Sequence, residues 1–187
     1  MAHRHFLIHK PYGYLSQFVG EAKKKKLGEF HDFPEGIMAI GRLDEDSEGL
    51  LLLTTDGRTS ELVRSRKIEK EYYAQVDGLI DEAAIAQLQA GVEIGIHNVR
   101  YLTTPCLARR LDPAPAFPAR TRKIRDDRHG PTSWVSIILT EGKYRQVRKM
   151  TAAVGFPTLR LLRVRVGEIH LGALPAGGVV EVADFEL

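Results

Sequence analysis

Apolar positions along the chain fall into short, separate runs rather than long helical repeats. Residues 49–55 contain four consecutive leucines and are bounded by turn residues, which predicts a strand buried on both faces. Residues 134–140, which are Trp-Val-Ser-Ile-Ile-Leu-Thr, are also predicted to form a strand. Three further strands are predicted at residues 6–9, 71–76 and 159–166.

Helices are predicted from capping residues and from apolar positions that share one face. Asp81 caps a helix that runs to residue 90 and ends at Gly91, and a second helix covers residues 145–154. A shorter helix is expected at residues 58–64. Because strands dominate without regular strand–helix alternation, we predict an α+β fold with a mixed, mostly antiparallel central sheet and flanking helices.

The length and composition describe a globular protein. Its 187 residues suit one domain, or two lobes that share a core, better than two independent domains. Residues 105–131 are the one long loop-like stretch. Cys106 is the single cysteine, so no internal disulfide can form, and neither a signal peptide nor a membrane span is apparent. The composition therefore predicts a cytoplasmic protein.

Positive charge is concentrated in two segments, although the net charge is only +3. Residues 109–129 hold seven Lys or Arg against three Asp, and residues 142–165 hold seven Lys or Arg and no acidic residue. A single charged run is usually a solvated face. Two basic segments on an otherwise acidic chain favour a polyanionic partner such as RNA.

An acidic segment at residues 41–49 lies between apolar stretches. A calcium loop could use Asp44, Asp46 and Glu48, but its twelfth position, which needs a bidentate Glu, is Thr55. Three interpretations remain: a carboxylate cluster that holds Mg²⁺ for phosphodiester cleavage, a single nucleophilic Asp, or a polar turn before a buried strand. The spacing of the acids does not choose among them.

The second predicted helix carries a basic face. Arg145, Arg148 and Lys149 are spaced so that they share one side of a helix, while Val147 and Met150 point toward the core. This face is either a solvated surface or a cationic surface that grips phosphates and pairs with a buried carboxylate.

Four segments together resemble, in order, the motifs of the A-type pseudouridine synthases, a family named for the small ribosomal subunit. The resemblance implies an isomerase that converts a specific uridine of large-subunit (23S) ribosomal RNA to pseudouridine, without metal or cofactor. It also implies two lobes around an RNA-binding cleft. The four segments are Leu7-Ile8-His9-Lys10-Pro11-Tyr12-Gly13, Gly41-Arg42-Leu43-Asp44 with Glu48-Gly49 and Asp56-Gly57, Lys70-Glu71-Tyr72, and Glu141-Gly142-Lys143-Tyr144-Arg145-Gln146-Val147-Arg148-Lys149-Met150.

The same resemblance assigns the catalytic roles. Asp44 matches the nucleophile that attacks the target uridine, and Arg148 matches the ion-pair partner that keeps this carboxylate charged. Tyr72 matches the active-site tyrosine that packs against the base. Tyr73 points to the opposite face of the same strand and is therefore expected in the core.

The remaining side chains of these segments are expected to bind RNA. Arg42 would help to hold the target base outside its stack. Asp46 and Glu48 are expected to be solvated and to have no role. The other expected RNA or substrate contacts are Lys143, Arg145, Gln146, Lys149, Leu161, Arg163, Arg122 and Arg125.

The chain is predicted to be one catalytic domain over residues 1–187, without the N-terminal RNA-binding module that many relatives carry. Its expected partner is ribosomal RNA, or an assembly intermediate of the large ribosomal subunit, bound by a monomer. Two rival hypotheses are a non-catalytic RNA-binding module and a metal-dependent nuclease that uses Asp44, Asp46 and Glu48.

Overall fold

The computed structural model describes all 187 residues, which divide into two compact units. Met1–Ile68 and Leu162–Leu187 form the first unit, and Glu69–Leu161 form the second. Along the chain the elements are β1 (His5–Lys10), β2 (Tyr14–Leu15), β3 (Lys25–Lys26), β4 (Met38–Ile40), β5 (Glu48–Thr54), α1 (Gly57–Ser65), β6 (Lys70–Asp77), α2 (Glu82–Ala90), β7 (Glu93–Ile96), β8 (Val99–Leu102), β9 (Leu107–Leu111), β10 (Thr132–Leu139), α3 (Gln146–Ala153), β11 (Thr158–Val166), β12 (Ile169–His170) and β13 (Val179–Val182).

The sheet of the first unit is centred on β5. β1 pairs antiparallel with both β5 and β13, and β4 pairs antiparallel with the C-terminal part of β5. The end of β11 that belongs to this unit runs parallel to the start of β5. All seven residues of β5 are buried, which confirms the prediction of a strand covered on both faces.

Both faces of β5 contribute to the apolar core. Leu50 and Leu52 belong to one buried cluster, together with Leu171 and residues of β4 and β11. Leu51 and Leu53 are fully buried on the other face, since neighbouring side chains of a strand point to opposite sides. Burial of each leucine contributes roughly 2 kcal/mol, so this strand is the main anchor of the residues that precede it.

The sheet of the second unit is antiparallel, with β10 between β6 and β9. Both helices of this unit share a core with the sheet, as their apolar spacing predicts. This arrangement of mostly antiparallel strands with few helices confirms the predicted α+β class. The buried cluster includes Ala74, Val76, Ala84, Leu88, Val135, Ile137, Leu139, Val147 and Met150.

Helix α2 begins and ends where the sequence predicts. The Asp81 side chain accepts a hydrogen bond of 2.8 Å from the amide of Ala84, which satisfies a helix N-terminal donor. Gly91 ends the helix with a φ of +99°, and a Cβ at this position would lie 2.3 Å from the carbonyl oxygen of Thr103. Glycine is therefore required both by the backbone angle and by the close approach.

Three parts of the second unit differ from the predictions. Within the stretch 105–131, Leu107–Leu111 forms β9 because it pairs with β10, so the irregular part is shorter than expected. The β7–β8 hairpin was not predicted, because its turn uses His97 and Asn98, both with positive φ, rather than an Asn-Gly or Asp-Gly pair. Helix α3 begins at Gln146, one residue later than expected, because the preceding arginine has a left-handed backbone.

In the first unit, β2, β3, β4, β12 and β13 were also missed. Each has four residues or fewer, which is too short for a hydrophobic period to be recognised. The three α-helices have eight or nine residues, and no helix is long and apolar enough to cross a membrane.

Candidate active site

Asp44 lies in a turn that leads directly into β5. Its carbonyl oxygen accepts a hydrogen bond of 2.9 Å from the amide of Ser47, and the residue is half-buried. The side chain of Leu43, just before it, is buried in the first unit. The turn is therefore fixed at both ends, by an apolar anchor on one side and by the central strand on the other.

The N-terminal segment holds the backbone on both sides of Asp44. The Ser16 hydroxyl donates to the carbonyl oxygen of Leu43 at 2.6 Å and accepts from its amide at 2.9 Å. The amide of Gly13 donates to the carbonyl oxygen of Glu45 at 2.8 Å. Since these bonds join residues about thirty positions apart, they set the direction of the Asp44 backbone before any substrate binds.

Lys10 is the unexpected member of this site. Its side chain is completely buried, and its Nζ donates to the carbonyl oxygens of Pro11, Tyr14 and Glu45 at 2.9, 2.8 and 3.3 Å. Burial lowers the pKa of Lys10 to about 8, and the carboxylate of Glu48 is the largest of the nearby charges that limit the fall. The ammonium group thus supports the turn and supplies a positive charge beside it.

The acidic side chains of residues 44–48 differ in how far they are exposed. Glu48 is 3% exposed, so the prediction that it is a solvated residue was wrong. It is buried because it opens β5, opposite Leu162 of the parallel strand β11. The carboxylates of Asp46 and Asp44 also favour the charged form of Lys10, so the lysine balances several negative charges in the first unit. No group of three His, Cys, Asp or Glu side chains is placed to hold a metal ion.

Lys10→Met tests this buried charge through the pH dependence of stability. Between pH 8 and 10.5 the unfolded chain holds the lysine proton and the folded chain releases it, so folding becomes relatively more favourable as the pH rises. We expect the unfolding free energy of the wild type, relative to Lys10→Met, to increase by about 3 kcal/mol over this range. Urea unfolding at a series of pH values measures the difference, and a difference that stays constant would contradict the assignment.

In the second unit, the start of helix α3 is held by a polar network around Gln146. This side chain is buried, and its Oε1 accepts from the amide of Lys143 at 3.0 Å. Its Nε2 donates to Glu141 at 2.7 Å. Arg145, between them, has a φ of +51°, a left-handed conformation that is uncommon for a residue other than glycine.

Glu141 connects this network to the hairpin strands. Its carboxylate accepts from the Tyr101 hydroxyl and, at 2.9 Å, from the amide of Thr104. Burial raises the pKa of Glu141, but the hydrogen bonds from Tyr101, Thr104 and Gln146 outweigh it, so the pKa is lower than usual. The charged carboxylate is therefore the form that orders the turn before α3.

Glu141→Gln should destabilise the protein by about 2 kcal/mol at pH 7, because the new amide group would face the donor of Gln146. Since the folded pKa is depressed, the advantage of the wild type is present above pH 4.5 and is lost as the pH falls through that depressed pKa. Urea unfolding at pH 7 and pH 3.5 tests both points. Glu93→Gln, which removes an exposed ion pair with Arg100, is the control with little expected effect.

Tyr72 and Tyr73 lie on opposite faces of β6, as predicted. Tyr72 packs against the core cluster of the second unit, next to its strand partner Ile137. Tyr73 is half-buried on the other face, where its ring meets that of Phe117 at 6.2 Å. The prediction that Tyr73 belongs to the core was therefore wrong, because the face of Tyr72 is the one that the helices cover.

The cations near α3 are held by aromatic rings. The Lys143 ammonium lies 4.9 Å from the ring centre of Tyr101, and that of Lys149 lies 5.0 Å from the ring centre of Tyr144. Lys149 also donates to the carbonyl oxygen of Gly95 at 2.6 Å. Arg148 lies on the same helix and is half-buried.

The other assigned residues lie in different surroundings. Leu161 and Arg163 are buried, and Nε of Arg163 donates to the carbonyl oxygen of Leu50 at 2.9 Å. Arg42 and Arg122 are exposed. The structure therefore places Arg42, Asp44 and Arg163 in the first unit, and Tyr72, Arg122, Arg125, Lys143, Arg145, Gln146, Arg148, Lys149 and Leu161 in the second.

Comparison with known proteins also indicates a pseudouridine synthase. The family described as RNA pseudouridylate synthase matches residues 4–153. The chain is 43% identical over 172 residues to the ribosomal large subunit pseudouridine synthase E of Xanthomonas axonopodis pv. citri, covering 90% of this chain and 88% of that protein. It is 40% identical over 178 residues to the protein of the same name from Vibrio parahaemolyticus, covering 94% of this chain and 72% of that protein.

Solved structures agree with this comparison. A crystal structure of a pseudouridylate synthase aligns with a TM-score of 0.77 and 26% identity, over 97% of this chain and 71% of that one. The predicted resemblance to pseudouridine synthases is thus confirmed. Its small-subunit label is wrong, because the matching family carries no such label and these relatives are named for the large subunit.

Proposed function

Because the chain belongs to the RNA pseudouridylate synthase family, we propose that it converts one uridine of large-subunit ribosomal RNA to pseudouridine, with Asp44 as the nucleophile. The family reaction is the isomerisation of uridine in RNA. The names of the relatives from Xanthomonas and Vibrio support the large-subunit substrate. The observation that carries the proposal is the Asp44 turn, which is clamped on both sides of the carboxylate-bearing residue.

The reaction exchanges one bond of uridine for another. The N1–C1′ bond breaks, the C5–C1′ bond forms, the proton leaves C5, and N1 gains a proton. Substrate and product contain the same atoms and electrons, so no oxidant or other co-reactant is consumed. The Asp44 carboxylate would bond either to C1′, as the N1–C1′ bond breaks, or to C6, as the C5–C6 double bond opens. The base would then turn, and the carboxylate would leave again as the product forms.

Three further residues would act together with this nucleophile. We assign Arg148 to the carboxylate, since a guanidinium can grip it with two hydrogen bonds and keep it charged. Tyr72 would pack against the uracil and assist the loss of the C5 proton. Arg42 would hold the base outside its stack, because the glycosidic bond cannot be exchanged inside a duplex.

The remaining parts of the proposal concern the partner and the setting. Lys143, Arg145 and Lys149 would contact phosphates of ribosomal RNA, either free or in an assembly intermediate of the large ribosomal subunit. Gln146, Leu161 and Arg163 are buried, so their expected effect on RNA would act through the backbone they hold. We place the reaction in the cytoplasm, with a monomer as the active form.

Incubation with an unmodified transcript of large-subunit ribosomal RNA in the presence of EDTA tests the proposed function. We expect one new pseudouridine, located by chemical mapping, in RNA that remains full-length. Cleaved RNA that depends on added Mg²⁺ would support the nuclease hypothesis instead. RNA that is bound but neither cleaved nor modified would support a non-catalytic binding module.

A further inference from the structure

A pocket of about 310 Å³ lies in the second unit, and its lining includes none of the residues assigned to catalysis. Its floor comes from three strands, through Gln75 of β6, Thr132 of β10 and Arg160 of β11. Its wall comes from the irregular segment 119–127, which we call the basic wall. The pocket is therefore formed where a loop rests on the outer face of a sheet.

The floor is a rigid part of the sheet. The Gln75 amide donates to the Thr132 hydroxyl at 3.0 Å. The guanidinium of Arg160 is 5.8 Å from the ring centre of Phe117 and donates to the carbonyl oxygen of Pro118 at 2.9 Å. Arg160 is 6% exposed, so this cation is fixed at the base of the pocket rather than free in solvent.

The basic wall is anchored to the same sheet. Arg125 forms an ion pair of 2.7 Å with Asp77, at the end of β6, and also donates to the carbonyl oxygen of Pro131 at 3.0 Å. Phe117, just before the wall, packs against Trp134 with ring centres 5.7 Å apart. These contacts hold an irregular segment in one place without a helix or strand of its own.

The charge of the pocket is strongly positive. Its lining has five cationic side chains and two carboxylates, one of which, Asp126, accepts hydrogen bonds from the Arg128 side chain at 3.1 and 2.8 Å. Arg128 is not part of the lining, so it reduces the negative charge that Asp126 presents there. Asp77 is also outside the lining and reduces the positive charge of Arg125 in the same way, so the excess of three positive charges remains. The cationic lining residues are Arg120, Arg122, Lys123, Arg125 and Arg160.

We propose that this pocket binds a backbone phosphate of the substrate RNA, as an anchor separate from the nucleotide that reacts. The proposal rests on the proposed function, because it assumes an RNA substrate. Guanidinium groups suit phosphate oxygens in charge and geometry. No aromatic side chain lines the pocket, so it offers no stacking surface to a base and favours a phosphodiester over a free nucleotide.

The binding of RNA by Arg122→Ala/Lys123→Ala tests the anchor. Both side chains are exposed, so their removal should not disturb the floor. We expect the Kd for a large-subunit RNA transcript at 0.1 M KCl to rise about tenfold, with kcat/KM falling by the same factor. The slope of log Kd against log salt should decrease by about 1. Arg58→Ala/Lys67→Ala removes the same charge from exposed sites in the first unit, and its Kd should stay within about twofold of the wild type.

Replacing one RNA phosphate by an uncharged methylphosphonate identifies the phosphate that the pocket binds. RNAs with a single methylphosphonate at successive positions should include one that binds the wild type about tenfold more weakly. The Arg122→Ala/Lys123→Ala protein should bind this RNA and the unmodified RNA with the same affinity. Additive losses at every position would overturn the anchor, as would equal binding by the pocket and control variants.

An experiment with inorganic phosphate tests whether the pocket binds RNA or a free phosphate compound. If phosphate raises the Tm of the wild type but not of Arg122→Ala/Lys123→Ala, while RNA affinity is the same for both, the pocket serves a free phosphate compound and the RNA anchor is wrong. A wild type that forms pseudouridine and passes none of these binding tests would refute the anchor alone. A wild type that forms no pseudouridine would refute the proposed function.

Discussion

Asp44→Asn is expected to reduce pseudouridine formation by about 10⁴-fold or more, because an amide is neutral and cannot act as the nucleophile. The fold should be unaffected, since Asn has the same shape and the clamps on either side of Asp44 use backbone groups of its neighbours. Liquid chromatography of the nucleosides from an incubated transcript measures the rate, because it separates pseudouridine from uridine of the same mass. A filter assay measures retained RNA binding.

Asp46→Asn is the matched control for this change. It removes the same charge from the same segment, two residues away, and Asp46 also contributes to the field at Lys10. We expect its rate to stay within about tenfold of the wild type, since it does not react with the nucleotide. Equal losses in the two variants would mean that the segment acts through its charge and not through one nucleophile.

Gly49→Ala is expected to be the most damaging small substitution in the first unit. Gly49 has a φ of +109°, and a Cβ there would lie 2.3 Å from the backbone oxygen of Arg163 and 2.7 Å from its nitrogen. The parallel pairing of β5 with β11 leaves neither strand room to move. Backbone strain and the clash together should lower the free energy of unfolding by about 3 kcal/mol or more.

Gly57→Ala provides the control in the same unit. Gly57 is the first residue of α1, and nothing lies within 4 Å of a Cβ built there. Alanine favours the helix by up to about 1 kcal/mol, so this variant should be as stable as the wild type or more stable. Urea unfolding compares the two, and a Gly49→Ala protein of wild-type stability would contradict the close packing of β5 and β11.

Strand β5 and helix α2 could be predicted because their signals lie within a short stretch of sequence. β5 is a run of leucines covered on both faces, and α2 is delimited by Asp81 and Gly91. The β7–β8 hairpin could not be predicted in the same way. Its turn places His97 and Asn98 at positive φ without the Asn-Gly or Asp-Gly pair by which such a turn is recognised in a sequence.

In the candidate site, too, residues in a contiguous motif could be predicted, whereas contacts between distant residues could not. Asp44 could be singled out because its motif is contiguous in the sequence. The role of Lys10 could not, since its ammonium bonds to Glu45, 35 residues away, and only the folded chain brings them together. Glu48 was misjudged because an acid in a polar segment is usually solvated, whereas here it opens a buried strand.

The loop within residues 109–129 was predicted to be basic from its sequence, but its shape was not predicted. Arg125 pairs with Asp77, 48 residues earlier in the chain, so its side chain holds the loop on the sheet. That contact creates a concave surface from residues that a sequence would describe only as a charged run. The position of Arg160 under this loop likewise follows from the sheet and not from its neighbours in sequence.

Pseudouridine mapping across the large-subunit ribosomal RNA of a strain that lacks this protein tests the central claim most directly. One position should be uridine in that strain, should become pseudouridine when the wild-type gene is restored, and should stay uridine when Asp44→Asn is supplied instead. An unchanged set of pseudouridines in the strain without the protein, or full restoration by Asp44→Asn, would contradict the account.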